Sequence, residues 1–387
     1  MSALLKTLPV PTGVAVASIL PLLEAALDGA GPPLLPVPER DDRETARLCE
    51  ALRPGEPIDD IPEAGDVALV VATSGTTGIP KGAMLTARAL RASGESTHRR
   101  LGGPGSWLLA LPAHHIAGLQ VLMRSILAGT APVVMDVAGG FDPSALPPAV
   151  DAMDGPRRYT SLVPTQLVKA LDHPAAMEAL ASLDAVLLGG AATPAPLLRR
   201  AVDSGLTIVR TYGMSETCGG CVYDGVPIDG ARVRIAADSR VLLGGEMLAA
   251  GYRGRPDHPA FAEPGWFCTD DAGTLDAGIL TIRGRLDEAI STGGLTVVPQ
   301  VVEAVLAEHP AVRECAVVGV PDERLGQRVV AAVVATPGAR PTLVELREHV
   351  SAALDVTAAP RELRLVDALP LRGPGKIDRQ ALRESWS

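Results

Sequence analysis

The chain has 387 residues, of which 47% are hydrophobic and 21% are charged, and its formal net charge at pH 7 is −10. This length predicts roughly two or three domains, and the apolar content excludes an intrinsically disordered protein. Because basic residues cluster only in isolated pairs, the sequence also excludes a basic nucleic-acid surface.

The sequence points to a cytoplasmic protein without membrane insertion. No apolar run reaches the roughly 18–20 residues of a membrane helix. The longest one, near residues 18–27, contains Pro21 and Glu24, and the N-terminus lacks a signal-peptide pattern. Cys218 and Cys221 form a CxxC pair, but no second pair or histidine has the spacing of a zinc site. We therefore expect reduced thiols.

The basic residues are strongly skewed, because 31 of the 35 are arginine. The four lysines are Lys6, Lys81, Lys169 and Lys376. A GC-rich genome explains the skew itself but not the retention of these four. Lys81 and Lys376 fall in the motifs described below, whereas Lys6 and Lys169 gain no role from the sequence.

From about residue 66, short β-branched runs alternate with longer helical patterns. The predicted strands are Val67–Ala72, Trp107–Leu111, Pro132–Met135, Tyr159–Val163, Ala185–Leu188 and Leu206–Arg210. The predicted helices are Ile116–Leu127, a stretch after Pro143, Thr165–Leu171 and Pro196–Val202. This alternation predicts crossover units and a buried, largely parallel sheet with helices on both faces.

The pattern changes twice towards the C-terminus. Glycine and short strand-like pieces dominate the β-rich part at about 222–283, and an α+β unit follows from Asp287. In that unit we predict helices after Pro299 and over Leu343–Leu354, and strands over Cys315–Val320, Val329–Val334 and Leu363–Val366. The expected fold class is α/β. A large N-terminal domain, 1–286, has mostly parallel sheets flanked by helices plus the β-rich part, and 287–387 is a small, mobile α+β domain.

A glycine- and hydroxyl-rich loop follows the first predicted strand of this series, at residues 73–82. Its glycines allow close backbone approach to an anion, and its N–H groups and hydroxyls can cradle phosphate oxygens. Lys81 adds a mobile positive charge. The P-loop of nucleotide hydrolases needs Ser or Thr after its lysine, whereas Gly82 follows here, so that alternative fails.

This loop resembles the phosphate-binding signature of the adenylate-forming superfamily, which includes acyl-CoA synthetases, luciferases and peptide-synthetase adenylation domains. The resemblance implies that the loop binds nucleotide phosphates and that Thr76 takes part in catalysis. The residues assigned to phosphate binding in this loop are Thr73, Ser74, Gly75, Thr77, Gly78 and Lys81.

Two further motifs resemble the adenine and phosphate contacts of the superfamily. In Thr211-Tyr212-Gly213-Met214-Ser215-Glu216, an aromatic ring can stack on adenine, a hydroxyl can bond the α-phosphate, and Glu216 can hold Mg²⁺. Ser215 stands where the superfamily usually has threonine. Gly189-Gly190-Ala191 resembles the glycine turn beside the adenine.

The ribose and hinge motifs of the superfamily also have counterparts. Asp271, preceded by Asp270 where relatives carry glycine, resembles the aspartate that accepts both ribose hydroxyls. Arg285 resembles the arginine that bonds the ribose, and Asp287 resembles the pivot between the two domains. Gly293 and Gly294 resemble a segment next to the CoA arm, in which many relatives carry a lysine at position 291.

The C-terminal Gly-Lys-Ile-Asp-Arg sequence resembles the loop whose lysine reaches the acyl carboxylate and the α-phosphate, so Lys376 is the expected catalytic cation. The segment Leu111-Pro112-Ala113-His114-His115-Ile116-Ala117-Gly118 resembles the lining of the acyl and pantetheine tunnels, with His115 at the position of the superfamily's histidine. The resemblance spans about residues 66–387, and the part before the phosphate loop is shorter than in most relatives.

The acyl substrate is a separate question. The segments LPAHHIAGLQV and STGGLTV resemble the sequences of the o-succinylbenzoate–CoA ligases of menaquinone biosynthesis. A second substrate carboxylate would need a cation or several donors. Helical spacing turns Arg124 away from His115, and the neutral donors that stay open for this role are Ser161, Thr165, Gln166 and His114.

The resemblance implies a two-step ligase that uses ATP, Mg²⁺ and coenzyme A and forms an acyl-adenylate. The expected partners are small molecules, with neither nucleic acid nor membrane, and a homodimer stays open. Two alternatives also stay open: another aryl- or acyl-CoA synthetase, and an adenylating enzyme that loads a carrier protein. A non-catalytic nucleotide-sensing module would bind ATP without pyrophosphate exchange.

Overall fold

A computed structural model describes residues 3–58, 66–73, 80–372 and 376–386 of the chain. These residues form two compact units. The first comprises Met1–Gly190, Ala201–Arg234 and Leu242–Cys268, and the second comprises Ala191–Arg200, Ile235–Val241 and Thr269–Ser387. No helix in the described ranges is long and apolar enough to cross a membrane.

The first unit begins with a four-stranded sheet of order β1-β2-β3-β4. Its strands are β1 (Lys6–Val10), β2 (Leu34–Pro38), β3 (Val67–Thr73) and β4 (Lys81–Thr86). The accompanying helices are α1 (Leu20–Leu27), α2 (Asp42–Leu52) and α3 (Ala87–Arg100). Strand β4 leads directly into α3, because the Thr86 hydroxyl accepts a hydrogen bond from the Ala89 backbone N–H and caps the helix.

The second sheet of this unit has seven strands in the order β11-β10-β9-β8-β7-β5-β6. They are β5 (Ser106–Leu109), β6 (Val133–Val134), β7 (Arg158–Leu162), β8 (Ala185–Leu188), β9 (Ile208–Met214), β10 (Gly219–Tyr223) and β11 (Val226–Pro227). Strands β5 to β9 pair in parallel, and β10 and β11 add antiparallel pairs at one end. The helices of this stretch are α4 (Ile116–Ala128), α5 (Leu146–Asp151), α6 (Pro164–Leu171), α7 (Pro174–Ala181) and α8 (Ala195–Asp203).

The glycine-rich part of the chain forms strands, as predicted for 222–283. They are β12 (Ala231–Ile235), β13 (Arg240–Gly245), β14 (Trp266–Asp276) and β15 (Ile279–Arg285). Strands β14 and β15 pair antiparallel, with Asp271 opposite Arg285. The hairpin therefore brings the two predicted ribose-binding residues side by side.

The C-terminal part of the second unit is an α+β structure around a five-stranded sheet. Its strands are β16 (Ile290–Thr292), β17 (Leu295–Val297), β18 (Val312–Asp322), β19 (Gly326–Ala335) and β20 (Glu362–Leu365). It continues with α9 (Pro299–Ala307), α10 (Leu343–Ala353), β21 (Leu371–Arg372), β22 (Lys376–Ile377) and α11 (Arg379–Ser385).

Both faces of this C-terminal sheet are covered, which explains the continuous apolar runs of β18 and β19. Successive side chains of a strand point to opposite faces. Val317 accordingly packs with Val302 and Leu306 of α9 on one face, whereas Val318 packs with Leu382 on the other. A strand that is buried on both faces needs apolar residues at every position rather than at alternate ones.

The structure confirms the α/β class and the predicted order of strands and helices after residue 66, with ends that differ by a few residues. It also adds elements that the alternation pattern did not predict, among them the helices α3, α7 and α11. Strand β3 does not belong to the main parallel sheet but pairs with β4. The sequence analysis placed the first two residues of β4 in the loop at 73–82 and assigned the others to no element. Strands β1 and β2 extend the sheet of β3 into the N-terminal region, for which no elements were predicted.

A neutral histidine is buried in the first unit. The indole N–H of Trp107 in β5 donates a hydrogen bond to Nε2 of His98 in α3 at 3.3 Å, and both residues are buried. Burial, together with the positive charge of the nearby Arg124, lowers the pKa of His98 to about 4. Folding therefore keeps this side chain neutral at pH values where it is protonated in the unfolded chain.

This pKa predicts a loss of stability in mild acid. Between pH 6.5 and 4 the unfolded chain binds a proton at His98 that the folded chain does not, so stability falls as the pH falls through this window. The His98→Gln variant keeps an acceptor for Trp107 but cannot titrate. The measurement is the drop in the free energy of unfolding from pH 7 to pH 5, determined by urea denaturation. We expect this drop to be about 2 kcal/mol smaller in the variant than in the wild type. Equal losses would contradict this assignment.

Candidate active site

The two described ends of the predicted phosphate loop lie opposite each other on β3 and β4. Thr73 pairs with Lys81 across the two strands. The Thr73 hydroxyl oxygen is buried and has no hydrogen-bond partner in the described part of the chain, which fits a group that waits for a ligand oxygen. Ser74, Gly75, Thr76, Thr77 and Gly78 lie outside the described residues, so their assignment stays a prediction.

Gly82 allows the strand that leaves this loop to pack tightly. A Cβ atom at this position would lie 2.6 Å from Cγ1 of Val70 and 2.8 Å from Cδ2 of Leu52. Both neighbours are fully buried core side chains. A residue with a side chain would therefore push β4, and Lys81 with it, away from β3.

The predicted magnesium ligand is a buried carboxylate in a capped turn. Ser215, Glu216 and Thr217 form one 3-10 turn directly after β9, and all three are buried. The hydroxyl of Thr217 accepts from the Met214 backbone N–H at 3.0 Å and donates to the Gly219 carbonyl at 2.7 Å. These bonds fix the turn and hold Glu216 inside the first unit.

Glu216 contacts a tyrosine that the sequence analysis did not identify. The hydroxyl of Tyr252 donates to Oε1 of Glu216 at 2.5 Å. The Nζ atom of Lys81 lies 4.7 Å from the centroid of the same ring. Tyr252 therefore touches two predicted phosphate-site residues at once. The one sequence signal that could have found it is rarity, because the chain contains only four tyrosines.

The adenine-side glycines are required by close backbone packing. A Cβ atom at Gly189 would lie 2.3 Å from Oγ1 of Thr211, so the structure brings these two predicted residues into contact. Gly190 has a φ of +82°, which favours glycine. A Cβ at Gly213 would lie 2.0 Å from the carbonyl oxygen of Gly219 in the paired strand β10.

Tyr212 and Ala191 complete the adenine-side assignments. Tyr212 is half-buried in β9, in the first unit, and Ala191 is exposed in the second unit. Their contact with adenine stays a prediction.

The predicted tunnel segment leads into α4. His115 is the residue before this helix, and the rings of His114 and His115 lie 4.1 Å apart between centroids. Burial lowers the pKa of His114, although the charges of Glu44 and Asp41 act in the opposite direction. A neutral His114 keeps one donor and one acceptor nitrogen, which fits a polar pocket wall. Gly118 is needed for packing, because its Cβ would lie 2.4 Å from the Pro112 carbonyl oxygen.

One of the predicted donors for a second substrate carboxylate is occupied. The Gln166 amide donates to the Ala110 carbonyl at 2.8 Å and accepts from the Val163 backbone N–H at 3.0 Å. The structure therefore gives Gln166 a role in holding the start of α6, and its contact with the substrate stays a prediction. Ser161 is buried in β7 and Thr165 is half-buried in α6, so they stay as predictions.

The ribose and hinge residues form an ionic group in the second unit. Arg285 makes two hydrogen bonds to the Asp287 carboxylate, at 2.8 and 2.7 Å, and lies 3.7 Å from Oδ1 of Asp271. Burial alone would lower the pKa of Arg285, but the hydrogen bonds and charge of Asp287 outweigh it and raise this pKa. The Asp271 side chain is 11% exposed and that of Asp270 is 54% exposed, so Asp271 stays the preferred ribose residue.

The remaining predicted residues of the second unit lie on two hairpins. Gly293 and Gly294 form the two-residue connection between β16 and β17, and both have positive φ, at +58° and +81°. Such a turn strongly favours glycine, so the hairpin explains both residues without a ligand. Lys376 is exposed and begins β22, which pairs with β21.

The residues around Glu216 fit a magnesium ion that arrives with its nucleotide. Within the described ranges, no group of three or more His, Cys, Asp or Glu side chains could hold a metal ion. Magnesium is usually bound through one or two carboxylates together with substrate phosphates. A single buried carboxylate near the phosphate loop matches that arrangement, with Glu216 as the residue that would hold the ion.

Comparisons with known proteins agree with the motifs. The family model described as AMP-binding enzyme matches residues 15–249, and the model described as AMP-binding enzyme C-terminal domain matches residues 301–376. The "Probable 2-succinylbenzoate–CoA ligase" of Mycobacterium tuberculosis strain H37Rv is 59% identical over 98% of this chain and 97% of that protein. The 2-succinylbenzoate–CoA ligase of Geobacillus sp. strain WCH70 is 32% identical over 82% of this chain and 69% of that protein.

Solved structures share the fold over the whole chain. Wild-type E. coli MenE with a bound analogue of OSB-AMS is 27% identical, with a TM-score of 0.74, and the match covers 100% of this chain and 88% of that one. ATP-bound MatB from Rhodopseudomonas palustris, at 22% identity over 100% of this chain and 89% of that one, has a TM-score of 0.84 and shows the fold alone.

The expectation that the resemblance begins near residue 66 is wrong, because the family match starts at residue 15. From its N-terminal strands to the Lys376 hairpin, the chain belongs to the AMP-binding enzyme family, the adenylate-forming enzymes that its motifs resemble.

Proposed function

We propose that this protein is an ATP-dependent ligase that joins 2-succinylbenzoate to coenzyme A in menaquinone biosynthesis, as a cytoplasmic enzyme. The observation that carries the substrate assignment is the 59% identity to a protein named for this activity, over nearly the full length of both chains. The site supports the reaction class, because a buried carboxylate, Glu216, and the ammonium of Lys81 lie beside the ends of the phosphate loop.

The reaction has two steps. A carboxylate oxygen of the acid attacks the α-phosphorus of ATP, the bond to pyrophosphate breaks, and an acyl-adenylate forms. The CoA thiolate then attacks the acyl carbon, and AMP leaves. No side chain needs to form a covalent intermediate, so the protein contributes positioning and charge stabilisation.

The predicted phosphate, ribose, metal and catalytic residues have separate tasks in this scheme. The phosphate loop and Lys81 bind the triphosphate, and Asp271 and Arg285 hold the ribose. Glu216 would hold Mg²⁺, which when bound offsets the negative charge of the phosphates. Lys376 stabilises the charge that develops at the α-phosphate as the acid attacks.

Residues 1–286 and 287–387 would act as the two domains of this scheme, with Asp287 as the hinge. In support, the two family models match 15–249 and 301–376 and leave the hinge region between them. The paired hydrogen bonds from Arg285 hold the Asp287 carboxylate in place. A rotation about Asp287 would have to keep or exchange these bonds, so Arg285 can couple nucleotide binding to domain movement.

The substrate assignment is tested with a panel of acids, because relatives with other names are about as similar to this chain as the 32% identical 2-succinylbenzoate–CoA ligase of Geobacillus. Feruloyl-CoA synthase of Streptomyces sp. is 34% identical and sulfoacetate–CoA ligase of Cupriavidus necator is 35% identical. We expect pyrophosphate release to show its highest kcat/KM with 2-succinylbenzoate, and free CoA to yield the thioester. A preference for a fatty acid, ferulate or sulfoacetate would overturn the substrate. Adenylation without thioester formation from free CoA would favour loading of a carrier protein.

The Lys376→Ala variant separates the two steps. We expect adenylation, measured by acid-dependent pyrophosphate exchange, to fall by about 10²–10³-fold, as on loss of one donor to a developing charge. Thioester formation from supplied acyl-adenylate should be largely retained. The matched control is Lys6→Ala, which removes an exposed lysine of β1 and should leave both steps unchanged. Equal loss of both steps in Lys376→Ala would contradict a role limited to adenylation.

A further inference from the structure

Tyr252 joins a cation and an anion of the proposed ATP site through two different parts of one side chain. Its hydroxyl donates to Oε1 of Glu216 at 2.5 Å, and its ring lies under the Lys81 ammonium, with 4.7 Å between Nζ and the ring centroid. Tyr252 itself is 1% exposed. A buried side chain in this position fixes the geometry of both charged groups rather than responding to them.

The orientation of the ring is set by its aromatic neighbours. The rings of His258, Phe261 and Phe267 lie 4.7, 5.2 and 6.5 Å from it between centroids, each nearly perpendicular to it. Edge-to-face pairs of this kind are a favoured arrangement of aromatic rings. Phe, Trp and Tyr make up only 3% of the chain, and three of these residues gather at this point together with His258. The packing leaves the ring one orientation, with its hydroxyl aimed at Glu216.

The backbone around Tyr252 is bonded to both elements that carry the charges. The Met84 N–H donates to the Gly251 carbonyl at 3.0 Å, and the Arg253 N–H donates to the Gly82 carbonyl at 2.9 Å, so residues 250–253 run beside β4. The Ala249 N–H donates to the Glu216 carbonyl at 2.8 Å. Tyr252 is therefore held in register with the strand of Lys81 and with the turn of Glu216.

We infer that Tyr252 is a positioning residue for Mg·ATP, an inference that rests on the proposed function. Its hydroxyl orients the buried Glu216 carboxylate towards the metal of the incoming nucleotide. Its ring face holds the Lys81 ammonium beside the phosphate loop. A carboxylate out of water needs donors to stay charged and ordered, and an ammonium over a ring keeps its charge while losing freedom. One side chain thus sets the separation of the two groups that the triphosphate and its metal meet.

The test is direct binding of nucleotide to the Tyr252→Phe variant, which keeps the ring and removes the hydroxyl. Isothermal titration calorimetry compares Mg·ATP with ATP in EDTA. We expect Mg·ATP to bind about 10- to 100-fold more weakly, the range for loss of one hydrogen bond to a charged group, and metal-free ATP to bind nearly as in the wild type. The thermal midpoint is measured alongside.

The matched control is Tyr159→Phe. Tyr159 is also fully buried, but its hydroxyl donates to the carbonyls of Leu101 and Gly103, at 3.0 and 3.1 Å. It should lower the thermal midpoint without changing the ratio of the two affinities. If both tyrosine variants shift that ratio equally, or if Tyr252→Phe binds Mg·ATP like the wild type, the inference is overturned.

A double-mutant cycle tests whether the hydroxyl acts through Glu216. In the Glu216→Gln background, the additional Tyr252→Phe change should leave the Mg·ATP affinity unaltered, whereas an undiminished effect would overturn the inference. If Tyr252→Phe alone fails to fold, the comparison of Glu216→Gln with the double variant still tests the inference. In that background the buried carboxylate is replaced by a neutral amide, so loss of the hydroxyl leaves no buried charge without a donor. If the wild type binds Mg·ATP but none of the acids supports pyrophosphate exchange, the proposed function alone is refuted. Absence of Mg·ATP binding would refute both.

Discussion

The antiparallel pairing of β3 with β4 is the constraint on which the rest of the candidate site depends. It places Thr73 opposite Lys81, so the two ends of the phosphate loop are held side by side by paired strands. The pairing survives only because Gly82 lets β4 approach the side chains of Val70 and Leu52. Residues 250–253 are hydrogen-bonded to β4, so this strand also holds Tyr252 in place. The Tyr252 hydroxyl in turn bonds the Glu216 carboxylate and orients it. Core packing and phosphate chemistry therefore share one strand.

The buried polar groups of the first unit are handled in three ways. The Glu216 carboxylate lies beside a phenolic donor, and His98 stays neutral because burial lowers its pKa. Arg124 is also buried, lies 5.0 Å from the centroid of the Trp107 ring, and has a lowered pKa. Burial is tolerated where a donor, a ring face or the loss of a proton lowers its cost.

Sequence reasoning predicted those groups of the candidate site that occur in continuous motifs. Thr73, Lys81, Glu216, Asp271 and Arg285 each lie in a stretch whose residue types already indicate their chemistry. The structure places Lys81 and Glu216 against one ring, and Asp271 beside Arg285. Tyr252 could not be found in this way, because it lies 36 residues from Glu216 in the chain and in none of the motifs named above. Contacts of that kind come from tertiary packing, which a single sequence does not show.

The same limit leaves some functional predictions with a second, local explanation. Gln166 is used twice by the backbone around it, and Gly293 and Gly294 satisfy a two-residue turn. In each case the backbone conformation at that point already accounts for a residue type that would also suit contact with a ligand. Strand β4 was missed for a related reason, since its short run follows the loop without a turn signal. Pattern alone does not separate a residue that serves a ligand from one that serves a hairpin.

The distinction between a residue needed for folding and one needed for a ligand also applies to relatives that have lost catalysis, and Gly213 is an example. Its hydrogen atoms face the Gly219 carbonyl, where any Cβ would lie within 2.0 Å, so the β9–β10 hairpin requires glycine whether or not nucleotide is bound. A descendant that had lost catalysis but kept the hairpin would still show this glycine. Glu216 is different, because a buried carboxylate is a burden on folding that a non-catalytic chain gains by discarding. Under the proposed function, the pair Glu216 and Tyr252 would therefore be a better marker of retained activity in a diverged homologue than the glycine of the same motif.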